Sequence, residues 1–257
     1  MTLNGRPICV LALETAHSAN DCKYCGKPKD LHTIPSSYCT GVTDPPGHFG
    51  DPQFAAIGWD NRAALGLSIG CWWDSRDERI HWFDVHTLEE TVRHFVKTQP
   101  LLVSFNGISF DFVLMRGLLM QHANDLRAQE AGFGIMKAAH DELQMVCNDF
   151  KTLCTWSYDI LAEIWQVDPS RRFEHGLNSL DAISRANGFG GKLSHGAEAP
   201  RRWASGEYAH VLNYRQDNVL KTRALFEMVC AEQSILRGDH QPIVLRNPFT
   251  PGKDAAV

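Results

Sequence analysis

The chain has 257 residues, 44% of them hydrophobic, and a formal net charge of -5, which is length enough for one large domain with a proper core. That balance gives no bulk positive field, so a polyanionic partner would have to be met by a cationic groove or by bound metal. No apolar run reaches the roughly 20 residues of a membrane span, and the apolar stretch near the start is short and cut by Glu14, so a soluble, intracellular, cytoplasmic protein is expected.

In chain order, Ile8 to Thr15 reads as a buried strand. Residues 17–60 follow as an irregular stretch rich in Gly, Pro, Asp, Ser and Cys, and such a length inside a compact domain points to function or to its own stabilising device. Ala64 to Trp73 and Arg79 to Asp84 read as a hairpin around the polar turn Asp74 to Glu78. Thr87, with Glu90 three residues later, has the capping-box pattern for a helix that stops near Pro100. Leu101 to Phe105 is the next buried strand. Phe110 to Gln121 has helical periodicity in Phe112, Leu114, Met115, Leu118 and Leu119, with Asp111 in the first turn.

Beyond it, a mainly helical segment runs from about Asp125 to Phe150, and a strand lies near Thr155 to Leu161. A helix starts over Gly176 to Ile183 and ends near Gly188. The last long helix covers about Glu207 to Leu236, and Arg246 to Val257 reads as a frayed tail. The pattern supports a mixed α/β layer architecture, one domain over residues 1–245 with residues 17–60 as an inserted loop. Cys9, Cys71, Cys147, Cys154 and Cys230 sit singly in apolar stretches, where free Cys acts as a small hydrophobe.

Three stretches carry the chemistry. The first strand ends Ala12-Leu13-Glu14, the second motif reads Asn106-Gly107-Ile108-Ser109-Phe110-Asp111, and the last helix carries Asn213-Tyr214-Arg215-Gln216-Asp217. Singly, these acids are a strand end, a helix N-terminal acid favoured by the macrodipole and a solvated helix position. Their joint order resembles the three motifs of the DEDD superfamily of 3′-to-5′ exonucleases, and most of all the proofreading-exonuclease domain of family B DNA polymerases and its free-standing relatives, over roughly Pro7 to Cys230.

That resemblance implies a ribonuclease-H-like fold of three antiparallel strands extended by two parallel ones, with helices on both faces. It implies 3′-to-5′ hydrolysis of nucleic acid, single-stranded DNA 3′ ends above all, with RNA still open. Glu14, Asp111 and Asp217 would be ligands of two Mg²⁺ or Mn²⁺ ions that clamp the scissile phosphate. In the family the first motif reads Asp, apolar, Glu, and here the Asp slot holds Ala12. Two explanations fit: an engineered Asp-to-Ala variant, inactive and of the kind made to trap a substrate, or a natural pseudo-nuclease that binds nucleic acid or a partner without cutting. Because the surrounding motifs read as intact, the first is the expectation.

The family also places a Tyr or His four or five residues before the last Asp to orient the attacking water. Asn213 stands four before Asp217 and Tyr214 three before, so the two are alternative candidates and the role is assigned to neither. Asn106 and Arg215 are expected at the substrate, and Lys192, in Gly190-Gly191-Lys192, is expected to meet a phosphate as a point charge. Arg171, Arg172, His175, Arg201, Arg202 and Arg215 make this half locally basic, where backbone contacts are expected.

A second ligand set lies in the inserted loop. Cys22-Lys23-Tyr24-Cys25-Gly26, followed by His32 and Cys39, can close a tetrahedral structural Zn²⁺ site in a loop too small for its own core. A redox Cys-x-x-Cys is the competitor, but it expects a strand before it and a helix after it. His17 and His48 are alternative ligands to His32.

Overall fold

The computed structural model describes residues 2–3, 5–21, 57–128, 134–174, 176–191, 193 and 196–250. A short strand, β1 (Thr2–Leu3), turns back onto β2 (Arg6–Thr15), the axis of the molecule. Side chains alternate across a strand, so Cys9, Leu11 and Leu13 enter one core while Ile8, Val10 and Ala12 enter the other. A strand buried on both faces reads as a continuous apolar run, which is why β2 is legible in the sequence.

On one side of β2 lies β3 (Leu67–Asp74), antiparallel, with Ala12 opposite Cys71 and Glu14 opposite Ile69. It pairs in turn with β4 (Arg79–Phe83), which completes the expected hairpin. Gly70 is required here, since a Cβ would lie 2.1 Å from the Phe83 ring. Next comes α1 (Leu88–Thr98). Its expected capping box does not form, because the Thr87 hydroxyl faces the preceding turn, where it accepts from the Asp84 amide at 3.0 Å and donates to the Asp84 carboxylate at 3.0 Å.

On the other side of β2, β5 (Leu101–Ser104) runs parallel to it, and β6 (Tyr158–Asp159) runs parallel to β5. The order β4-β3-β2-β5-β6 is three antiparallel strands extended by two parallel ones, the ribonuclease-H-like arrangement. One face is covered by α1, α2 (Asp111–Ala128) and α3 (Gly134–Thr155), with Phe112, Met115 and Phe150 packed on Leu11 and Leu13. Each such fully buried side chain contributes about 2 kcal/mol.

The other face is covered by α4 (Ile160–Val167), α5 (Leu180–Ala186) and α7 (Tyr208–Cys230), with α6 (Ala199–Ala204) leading into α7. Strand β6 is shorter than expected because the Asp159 carboxylate accepts from the Ala162 amide at 3.1 Å and caps α4. Helix α7 stops at Cys230, and Ile235–Leu236 instead forms β7 against β8 (Pro242–Ile243).

Residues from Arg246 onward, expected to fray, are docked as far as they are described. The Tyr158 hydroxyl donates to the Arg246 carbonyl at 2.8 Å, Arg246 pairs with Glu163 at 2.8 Å, and Phe249 packs on the core. Cys9, Cys71 and Cys147 are buried and, with Cys154 and Cys230, unbridged. No helix among the described residues is long and apolar enough to cross a membrane.

Candidate functional site

The alternation that sends Ala12 into the α7-side core sends Glu14 to the same face. There a cavity of about 350 Å³ opens between the end of β2, the turn after β5, the start of α2, the segment before α5 and the middle of α7. That volume is in the range of small-ligand sites. Leu11 to Glu14, Asn106, Asp111, Trp165, Arg172, Asn178, Arg215, Asn218 and Thr222 are among its walls.

The turn after β5 is shaped by a buried acid. The Asp159 carboxylate accepts from the Ser104 hydroxyl at 3.1 Å, the Asn106 amide at 3.1 Å and the Ile108 amide at 2.9 Å, besides capping α4. This lets Asn106 sit in the left-handed region, at φ 73, and aims it into the cavity. All four contacts are structural, so Asp159→Ala is expected to lower unfolding stability by roughly 3 kcal/mol, because buried donors lose their acceptor. A denaturant midpoint unchanged from the parent would show that the turn holds itself.

Helix α7 turns a stripe of residues toward the sheet, with Val211, Tyr214, Asn218, Thr222, Leu225 and Val229 buried. Successive helix residues are rotated by about 100°, so one step separates what faces the cavity from what does not. Asn218, 2% exposed, lines it. Asp217 does not line it; its carboxylate is paired with the Lys221 ammonium, which also donates to the Gly191 carbonyl at 2.6 Å. The expected site residue Asp217 is thus tied through Lys221 to the loop that ends at Gly191.

Arg215, one turn before Asn218, reaches across the cavity and forms a close ion pair with the Glu14 carboxylate. Its guanidinium also lies 4.7 Å from the Tyr214 ring centroid. Burial opposes its charge, yet Glu14, Tyr214 and Asp111 hold its pKa above the ordinary arginine value. Asp111, 6% exposed, goes the other way. Burial pushes its carboxyl up to about 7, against the pull of Arg215 and a Leu13 amide hydrogen bond, with the charges of Asp159 and Glu14 adding to the rise.

The structure therefore brings together Ala12, Glu14, Asn106, Asp111 and Arg215 of the expected set, but neither Asp217 nor Asn213, which is exposed on α7. Tyr214 is buried beneath Arg215 and does not line the cavity. Among the expected basic residues, Arg171 is paired with Glu174 and Asp239, and Arg202 with Glu198 and Glu207. Arg172 does line the cavity and lies 4.5 Å from the Trp165 ring. Lys192, His175 and the zinc set Cys22, Cys25, His32 and Cys39 lie outside the described residues, as does His48.

These walls do not fit a pair of divalent metals. Hard cations need several oxygen ligands, but Ala12 offers none, Asn218 is a neutral amide and Glu14 is paired with Arg215, which leaves Asp111 as the one other carboxylate of the lining. Among the described residues no group of three or more His, Cys, Asp and Glu side chains is placed to hold a metal ion. Sequence reasoning missed Asn218 by searching for acids. The available signal was the spacing Arg215, Asn218, Thr222, a helix face at i, i+3 and i+7.

A family described as a predicted 3′-5′ exonuclease related to the exonuclease domain of PolB matches residues 81–241, more than half of the chain. The matched stretch begins in β4 and takes in the Asn106 turn, Asp111 and α7, while β2 with Ala12 and Glu14 lies before it. No curated protein and no solved structure matches the chain.

Proposed function

Because the chain belongs to the family of predicted 3′-5′ exonucleases related to the exonuclease domain of PolB, a family whose name implies hydrolysis of nucleic acid, we propose that it keeps the pocket for a single-stranded 3′ end without the hydrolytic metal centre. It is a binding module built on a nuclease fold. The observation that carries this reading is the Arg215–Glu14 ion pair inside the cavity, where a working site of this type needs uncommitted carboxylates.

The last motif supports it independently. The family's Tyr or His precedes its last acid by four or five residues, and Tyr214 stands four before Asn218. Read in that register, the acid slot holds Asn218, the α7 residue that lines the cavity, in the same way that the first slot holds Ala12. A single Asp-to-Ala exchange at position 12 accounts for neither Asn218 nor Arg215. With two slots neutral and a third carboxylate neutralised by a fixed cation, what remains can orient a strand end but has too few ligands for two-metal hydrolysis.

Fluorescence anisotropy with labelled single-stranded DNA and RNA is the direct test, alongside chromatography of the same mixtures in Mg²⁺ and in Mn²⁺. The expected result is saturable binding that weakens when the 3′ end is buried in a blunt duplex, with no released mononucleotide. Stepwise mononucleotide release by the chain as it stands would overturn the reading.

A further inference from the structure

We propose that Arg215 supplies from the chain itself the positive charge that a metal pair would bring, so that the cavity takes a nucleoside phosphate in a contact that needs no divalent cation. This deepens the proposed 3′-end pocket and rests on that reading for its strand form, though the same chemistry would also accept a free mononucleotide.

The cavity has the groups for such a ligand. Arg215 is held on one side by Glu14 and lies against the Tyr214 ring, so its orientation is fixed before anything binds. Its Nε is buried and has no hydrogen-bond partner among the described residues. A guanidinium is a rigid fork of donors that matches a phosphate better than a point charge does. Arg172, exposed at the rim and stacked on Trp165, offers a second cation beside an aromatic face.

The remaining walls carry polar atoms that lack partners. Asn218 Oδ1 and Asn178 Oδ1, on residues 2% and 5% exposed, and Trp165 Nε1 are all buried and unsatisfied among the described residues. Buried polar groups are nearly always paired, so a cavity lined by several orphans is shaped for a polar ligand. Two acceptors and an indole donor suit hydroxyl and base-edge groups, while the arginines suit the phosphate. The carboxylate nearest the phosphate position, Glu14, is already neutralised by Arg215, which removes the repulsion that metals relieve in a carboxylate-lined site.

The test uses the full chain with a 3′-hydroxyl DNA oligonucleotide and, separately, a nucleoside 5′-monophosphate, each titrated in EDTA and in Mg²⁺. Affinity for at least one probe is expected to agree within about twofold between the two buffers, and Arg215→Gln is expected to lower it by about tenfold or more, the size of one lost charge-assisted contact. Because that change leaves Glu14 buried without its partner, Arg172→Gln at the exposed rim serves as a second variant, with a loss of about threefold and a shallower salt dependence.

If the oligonucleotide binds only with Mg²⁺ and Arg172→Gln has no effect, the metal-free contact is overturned while the 3′-end pocket stands. Metal-independent binding of the mononucleotide alone supports the contact and sinks the strand reading. If neither probe binds in either buffer, both fail.

Discussion

Restoring the first acid alone, by Ala12→Asp, is expected to yield no nuclease activity. The new carboxylate would sit on the β2 face beside Glu14, within reach of a guanidinium already fixed in the cavity. Arg215 would then pair with two acids instead of one, and the charge needed to attract a divalent ion would again be cancelled. The helix side would still offer Asn218, a neutral amide. The triple variant Ala12→Asp, Arg215→Ala, Asn218→Asp removes the cation and supplies both missing ligands. It is expected to release mononucleotides in Mn²⁺ at a rate on the order of 10³-fold above the single variant, or about 4 kcal/mol of barrier. If the single exchange gives as much hydrolysis as the triple one, the depleted-site reading fails and Asp217 returns as the ligand.

Unfolding stability should fall as pH rises from about 4 to about 7 and then level off, and Asp111→Asn should remove that slope. Burial pushes the Asp111 carboxyl up to about 7, while an unfolded Asp titrates near 3.9. Between these values the native protein holds a proton that the unfolded chain has released, so each pH unit lowers stability by about 1.4 kcal/mol. Below this window both states are protonated, and above it both are ionised and the loss is constant. At pH 8 the asparagine variant is therefore expected to be more stable than its parent by up to about 4 kcal/mol, and at pH 3 no more stable. Its amide oxygen can still accept the Leu13 hydrogen bond. Equal pH slopes in thermal melts of the two proteins would mean that Asp111 ionises normally in the fold.

Much of the sheet was legible because its strands obey one rule at a time. Strand β2 is apolar from Pro7 to Leu13, and the hairpin strands are bounded by the charged turn Asp74 to Glu78. What escaped lies where two rules compete. Strand β6 ends at Asp159 although Ile160 and Leu161 continue the apolar run, because a buried carboxylate that caps a helix outweighs β propensity. Glu14, Asp111 and Arg215, which the motifs name, line the cavity, whereas Asn218, a neutral amide beside Asp217, carries no acid to mark it. Trp165, which joins them through the tertiary fold, had no motif to mark it.

The Lys221 ammonium holds the Gly191 carbonyl at 2.6 Å from one side of α7, while Arg215 and Asn218 face the cavity from another. The helix is thus keyed like a shaft in two slots at once. A single inserted or deleted residue between Arg215 and Lys221 would turn one key out of its slot by about 100° while leaving the other in place. The segment from Arg215 to Lys221 is therefore expected to tolerate a substitution more readily than a change of length, which would be absorbed better in the loops on either side.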